Sequence, residues 1–102
     1  MTWYNFIACF FAGAFLANFV PHFVQGVSGE PFPTPFSKPP GRGLSSPLVN
    51  VLWALLNLLL GYIVFQFGRI SSDNHVGLAI FFAGITALSI PMSVSFAKKH
   101  AK

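Results

Sequence analysis

The sequence predicts an all-α membrane protein with three transmembrane helices and a long Pro/Gly-rich loop between the first and the second. Three observations indicate this class. The 102 residues are 54% hydrophobic and 8% charged, whereas soluble domains carry about 25% charged residues. Three apolar runs reach the roughly 20 residues that cross a bilayer, and none contains Asp, Glu, Lys or Arg. Six of the eight prolines cluster from Pro31 to Pro47.

The three apolar runs predict one integral membrane domain over 1–102, with spans at about 3–24, 48–67 and 76–96. A secretory signal in place of the first span would need a basic segment before its apolar core. No Lys or Arg precedes Lys38, so we expect a retained helix. Ser46 and Pro47 are typical of a helix N-cap and first turn, and Gly68 is typical of a left-handed residue after a helix. The short connection 68–74 predicts an antiparallel hairpin of the second and third helices.

The connection over 25–47 is predicted to be extended, because each proline removes a hydrogen-bond donor and biases its predecessor away from helix. Turns are expected at Gly29 and at 41–43. Loops of this length are often functional. Two interpretations remain open: a strap on the lipid headgroups with Phe32 and Phe36 dipped into the bilayer, or a partner-docking segment that uses Phe32, Phe36 and Arg42.

The distribution of basic residues predicts the topology. One side of a three-span protein carries only Arg69, and the other carries five basic residues: Lys38, Arg42, Lys98, Lys99 and Lys102. The positive-inside rule then places the N-terminus outside and the long loop and C-terminus in the cytoplasm, and we expect a bacterial inner membrane. These residues form no cluster interleaved with aromatics, so we expect lipid contact and no nucleic-acid binding.

Small and polar residues recur at helical spacing in the spans. The second span has a stripe at spacings of four, three and four, which places its members on one face: Asn50, Ala54, Asn57 and Gly61. The first span has a ridge at spacings of four: Cys9, Gly13 and Ala17. Such faces are typical of closely packed membrane helices, with asparagine side chains hydrogen-bonded across the interface. The alternative for the asparagine stripe is the polar lining of a pore.

Asn18 and His22 are four residues apart and share a face near the end of the first span. A histidine at this depth can ligate the metal of a haem or chlorophyll, or relay protons. The simpler interpretation is a histidine hydrogen-bonded to Asn18, to the loop or to a headgroup. We predict no cofactor, and keep haem or chlorophyll at His22 as the alternative. Cys9 is the only cysteine, so no disulfide within the chain and no metal site are predicted.

The predicted function is non-catalytic, because common catalytic and nucleotide-binding motifs are absent from the sequence and no span contains a carboxylate. The leading interpretation is a small subunit or scaffold of a larger integral membrane complex, with other membrane subunits or further copies of itself as partners. Small-residue faces on all three helices favour it, since one small bundle uses few of them. A homo-oligomeric channel or carrier for a neutral or anionic solute is the second interpretation. A haem- or chlorophyll-binding subunit is the third.

Overall fold

The computed structural model describes residues 2–40, 43–70 and 73–100, with side chains as far as Ala97. This part of the chain forms three α-helices: α1 (Trp3–Val27), α2 (Pro47–Phe67) and α3 (His75–His100). All three are long and apolar enough to cross a membrane, which confirms the predicted fold class. The molecule measures 45 × 24 × 21 Å.

The predicted N-cap of α2 agrees with the structure, whereas the residue predicted to end that helix in a left-handed conformation does not. Ser46 caps α2, since its hydroxyl accepts a hydrogen bond from the N–H of Val49 at 3.2 Å. Asn74 caps α3 in the same way, through the N–H of Gly77. The prediction of a left-handed Gly68 is wrong: its φ is −73°, and the left-handed residue is Arg69, with φ 52°.

The central helix of the bundle is α1, which packs against both other helices. Within the described residues, no Cα atom of α2 comes within 8 Å of one of α3. The side chains of Phe65 and Phe81 meet across that gap, with ring centroids 5.8 Å apart. The predicted hairpin of α2 and α3 is therefore wrong in that the two helices do not pack closely against each other within the described residues.

Two glycines explain why α3 lies against α1. A Cβ atom on Gly13 would overlap the carbonyl oxygen of Phe81, and one on Gly84 would overlap that of Phe10. The backbones of α1 and α3 can approach this closely only because both positions lack a side chain. Each helix thus contributes one glycine, and that glycine makes room for a backbone carbonyl oxygen of the other helix.

The described parts of the connection between α1 and α2, residues 28–40 and 43–46, fold back onto one end of the bundle. Phe32 and Ser45 form an isolated antiparallel bridge, with N–H···O distances of 3.2 and 2.9 Å. The ring of Phe32 packs on Phe96 of α3, with centroids 4.6 Å apart. The loop, the last turns of α1 and α3 and the first turns of α2 therefore share one end of the molecule, which we call the loop end.

Candidate binding site at the loop end

The small and polar stripes predicted from the sequence are buried between helices of this chain. All four residues of the α2 stripe are buried, and so is the α1 ridge: Asn50, Ala54, Asn57 and Gly61 on α2, with Cys9, Gly13 and Ala17 on α1. A Cβ atom on Gly61 would lie 3.1 Å from the Cβ of Phe15, whereas Gly13 faces α3. The amides of the stripe hydrogen-bond within this interface.

At the end of the bundle opposite the loop, α1 satisfies the carbonyl groups that end α2. The side-chain amide of Asn5 donates to the carbonyl of Phe67 at 2.7 Å, and the thiol of Cys9 donates to that of Gly68 at 3.3 Å. A Cβ atom on Gly68 would lie 3.0 Å from the Cys9 sulfur, so close packing accounts for glycine there. Sequence reasoning missed Asn5, although it lies four residues before Cys9 on the same face.

In the middle of the α1–α2 interface, two asparagines form a chain of two hydrogen bonds that run in the same direction. The amide nitrogen of Asn18 donates to Oδ1 of Asn57 at 2.9 Å. The amide nitrogen of Asn57 donates to the carbonyl of Trp53 at 2.8 Å. This leaves Oδ1 of Asn18 as an acceptor without a hydrogen-bond donor among the described residues.

Nearer the loop end, Asn50 determines the hydrogen-bonding state of His22. The Asn50 amide nitrogen lies 2.9 to 3.3 Å from three carbonyl oxygens, those of Phe32, Ser45 and Ser46. An amide group surrounded by carbonyls must present its NH₂ to them, so its Oδ1 accepts. That oxygen lies 2.8 Å from Nδ1 of His22. In the neutral ring Nδ1 therefore carries the proton, and Nε2 presents its lone pair.

The same network holds the proline-rich loop in place. Asn50 is fully buried and joins α1 and α2 to both residues of the Phe32–Ser45 bridge. Inside the loop, the hydroxyls of Thr34 and Ser45 hydrogen-bond to each other. The partner of His22 is thus Asn50, behind which the loop lies, whereas the sequence predicted Asn18, the loop or a headgroup as the partner.

The three loop residues singled out from the sequence have different environments. Phe32 is buried inside the protein, with its ring against that of His22 in a T-shaped arrangement and centroids 5.4 Å apart, so it does not lie on the surface where both interpretations place it. Phe36 is exposed and meets the ring of Trp53 at 5.2 Å. Arg42 lies outside the described residues.

A cavity of about 420 Å³ opens beside this network, and we call it the loop-end cavity. Eleven residues from all three helices and the loop line it: Asn18, His22, Pro33, Thr34, Pro35, Pro40, Trp53, Leu88, Met92, Ser95 and Phe96. None of the eleven is Asp, Glu, Lys or Arg. The described part of the cavity wall is therefore uncharged when His22 is neutral, and most of it is apolar.

The indole of Trp53 supplies the one unsatisfied donor of this region. Its Nε1–H is buried without a hydrogen-bond acceptor in the part of the chain that the structure describes. A buried donor left unpaired costs about 1–3 kcal/mol, and this one belongs to a residue that lines the loop-end cavity. Sequence reasoning missed Trp53, although it lies three residues after Asn50 and four before Asn57.

His22 has no companion for an all-protein metal site. Among the described residues, no three His, Cys, Asp or Glu side chains come together as metal ligands. An axial haem or chlorophyll ligand requires only one open ring nitrogen, and Nε2 is such a nitrogen. Comparison of the chain with protein-family models, curated proteins and solved structures found no match.

Proposed function

We propose that the protein is a small non-catalytic subunit of a larger integral membrane complex, and that α3 docks against a transmembrane helix of another subunit. The observation that carries this proposal is the chemistry of the α3 surface that faces away from α1. Six exposed residues follow one another there at spacings of four, three, four, three and four: Ala79, Ala83, Thr86, Ile90, Ser93 and Ala97. We call this row the α3 seam.

The spacing of the α3 seam suits a second helix. Alternating steps of three and four residues produce the 3.5-residue repeat along which two helices pack with a left-handed crossing. Five of the six side chains are small, and small residues allow membrane helices to approach closely. The hydroxyl of Thr86 donates to the carbonyl of Phe82 at 3.0 Å, so its side chain is held against its own helix.

The outer surface of α2 provides the contrast within the same molecule. It presents large exposed side chains, among them Leu52, Leu55 and Leu59, which is the composition expected of a surface in contact with lipid. Only 11% of the α3 span is buried within this chain, against 28% of the α1 span. A lipid-facing helix needs no row of small residues, whereas a helix that packs against a partner does.

The test is photo-crosslinking in native membranes, with a diazirine side chain placed at Ala83 in the α3 seam or at Leu56 on α2 as the matched control. We expect a protein adduct of fixed mass from position 83 and none from position 56. An adduct equal to two copies of this chain would replace the proposal with a homo-oligomer. If position 83 captures no protein while the full-length chain is present in the membrane, the proposal fails.

A further inference from the structure

We infer that the loop-end cavity is a binding site for a neutral, lipid-soluble phenol, the head group that a hydroquinone presents. This inference is independent of the partner proposed for α3. Leu88 and Met92 line the cavity, whereas Ala83 and Ile90 belong to the α3 seam on the opposite side of the helix, as 100° per residue requires. Occupation of the cavity and docking on α3 therefore use different surfaces.

The first step of the argument is the hydrogen-bonding capacity of the cavity wall. His22 presents Nε2 as an acceptor, because its Nδ1 is bound to Asn50. Asn18 presents Oδ1 as an acceptor, because its amide nitrogen is bound to Asn57. Trp53 also lines the cavity, with its N–H closed off from solvent. A hydroxyl group matches the two acceptors, since its hydrogen can bond to either of them.

The second step is charge. Among the residues that the structure describes, the lining contains no Asp, Glu, Lys or Arg, so none of them compensates an ionised ligand in a surrounding of low dielectric constant. A phenol has an ordinary pKa of about 10 and is neutral near pH 7. Carboxylates, phosphates and ammonium groups are disfavoured for the same reason.

The third step is shape. Trp53 and Phe96 supply aromatic surfaces, Met92 supplies a thioether that packs well on rings, and three prolines supply rigid apolar walls. Volumes of about 300–1,000 Å³ are typical of small-molecule sites, and the loop-end cavity lies in that range at about 420 Å³. The surrounding helices are membrane-spanning, so an apolar tail on the ligand would lie in lipid. A flat ring with one hydroxyl and one alkyl chain meets these conditions.

The experiment compares two ligands that differ in one hydrogen-bond donor: 4-hexylphenol and its methyl ether, 4-hexylanisole. The full chain carries Trp3→Phe, which leaves Trp53 as the sole tryptophan. Trp3 is exposed at the other end of the bundle, so this change leaves the cavity intact. Titration in detergent or nanodiscs follows the emission of Trp53, which lines the cavity and therefore changes its surroundings when the phenol binds.

We expect a saturable response to 4-hexylphenol and binding of 4-hexylanisole that is about 10-fold weaker, because the ether cannot donate to Nε2 of His22 or Oδ1 of Asn18. Met92→Phe fills the cavity and should abolish binding of the phenol. Val94→Phe adds the same ring on an exposed position of α3 outside the cavity and should leave binding unchanged.

Three results would overturn the inference: no saturable response to 4-hexylphenol, equal affinity for the ether, or undiminished binding in Met92→Phe. If there is no saturable response to 4-hexylphenol, the cavity holds water only. Slow exchange of the Phe32 and Ser45 amide hydrogens, which bridge the loop, verifies that each variant is folded. The comparison of the two ligands needs no cavity variant, so it decides the question even if Met92→Phe fails to fold.

Discussion

Replacement of Asn50 by Leu should release the proline-rich loop from the bundle. Leucine keeps the branched skeleton of asparagine and removes only its polar atoms. The three carbonyl groups that lose the Asn50 amide each keep a backbone partner: Phe32 and Ser45 bond to each other, and Ser46 accepts from the N–H of residue 50. His22 is different, because Nδ1 loses the only hydrogen bond that it makes among the described residues.

The magnitude follows from that difference. His22 is 3% exposed, and a buried donor without an acceptor costs about 1–3 kcal/mol. We therefore expect Asn50→Leu to lower the free energy of unfolding by about 2 kcal/mol. Asn57→Leu is the matched control. The same substitution on the same helix leaves only the half-buried amide of Asn18 without its hydrogen-bond acceptor. Interhelical polar pairs in membranes average about 0.6 kcal/mol, which is the loss expected for that control.

Unfolding in mixed micelles with increasing SDS measures both free energies, and hydrogen exchange reports on the loop. The amide hydrogens of Phe32 and Ser45 should exchange faster in Asn50→Leu and at the wild-type rate in Asn57→Leu. Equal destabilisation by the two substitutions would refute the reasoning. Wild-type exchange of the loop amides in Asn50→Leu would refute it as well, because the loop would then be held by other contacts.

Two further predictions concern packing and topology. Gly13→Ala should destabilise the protein more than Gly61→Ala in the same SDS titration, since the new Cβ meets the backbone of Phe81 in the first case and a Cβ at 3.1 Å in the second. Comparable losses would show that the α1–α3 contact tolerates a methyl group. In a Cys9→Ala background, Lys38→Cys and Asp73→Cys should react with an impermeant maleimide from opposite sides of intact cells, with position 73 accessible from outside. Labelling of both positions from one side would contradict the three-span topology.

The candidate site was predictable only in part. The spacing of Asn50, Ala54, Asn57 and Gly61 predicted that they share a face, and all four are buried on one side of α2. The sequence also placed Asn18 and His22 together on α1. It did not show that each pairs with a different asparagine of α2, because helical periodicity describes one helix and contains no information on its rotation or register against another.

The amino-acid sequence by itself determined the number of spans, their approximate limits and the position of the irregular loop. These properties depend on local quantities: the length of an uncharged apolar run, the caps at its ends and the backbone restrictions of proline. The tertiary structure alone decided that α1 lies between α2 and α3, since that order depends on the mutual fit of Gly13 and Gly84. It also decided that Asn50 binds the loop, and that Asn18, His22 and Trp53 line one cavity. Those contacts join residues distant in sequence, and their free energy exists only once the helices are packed.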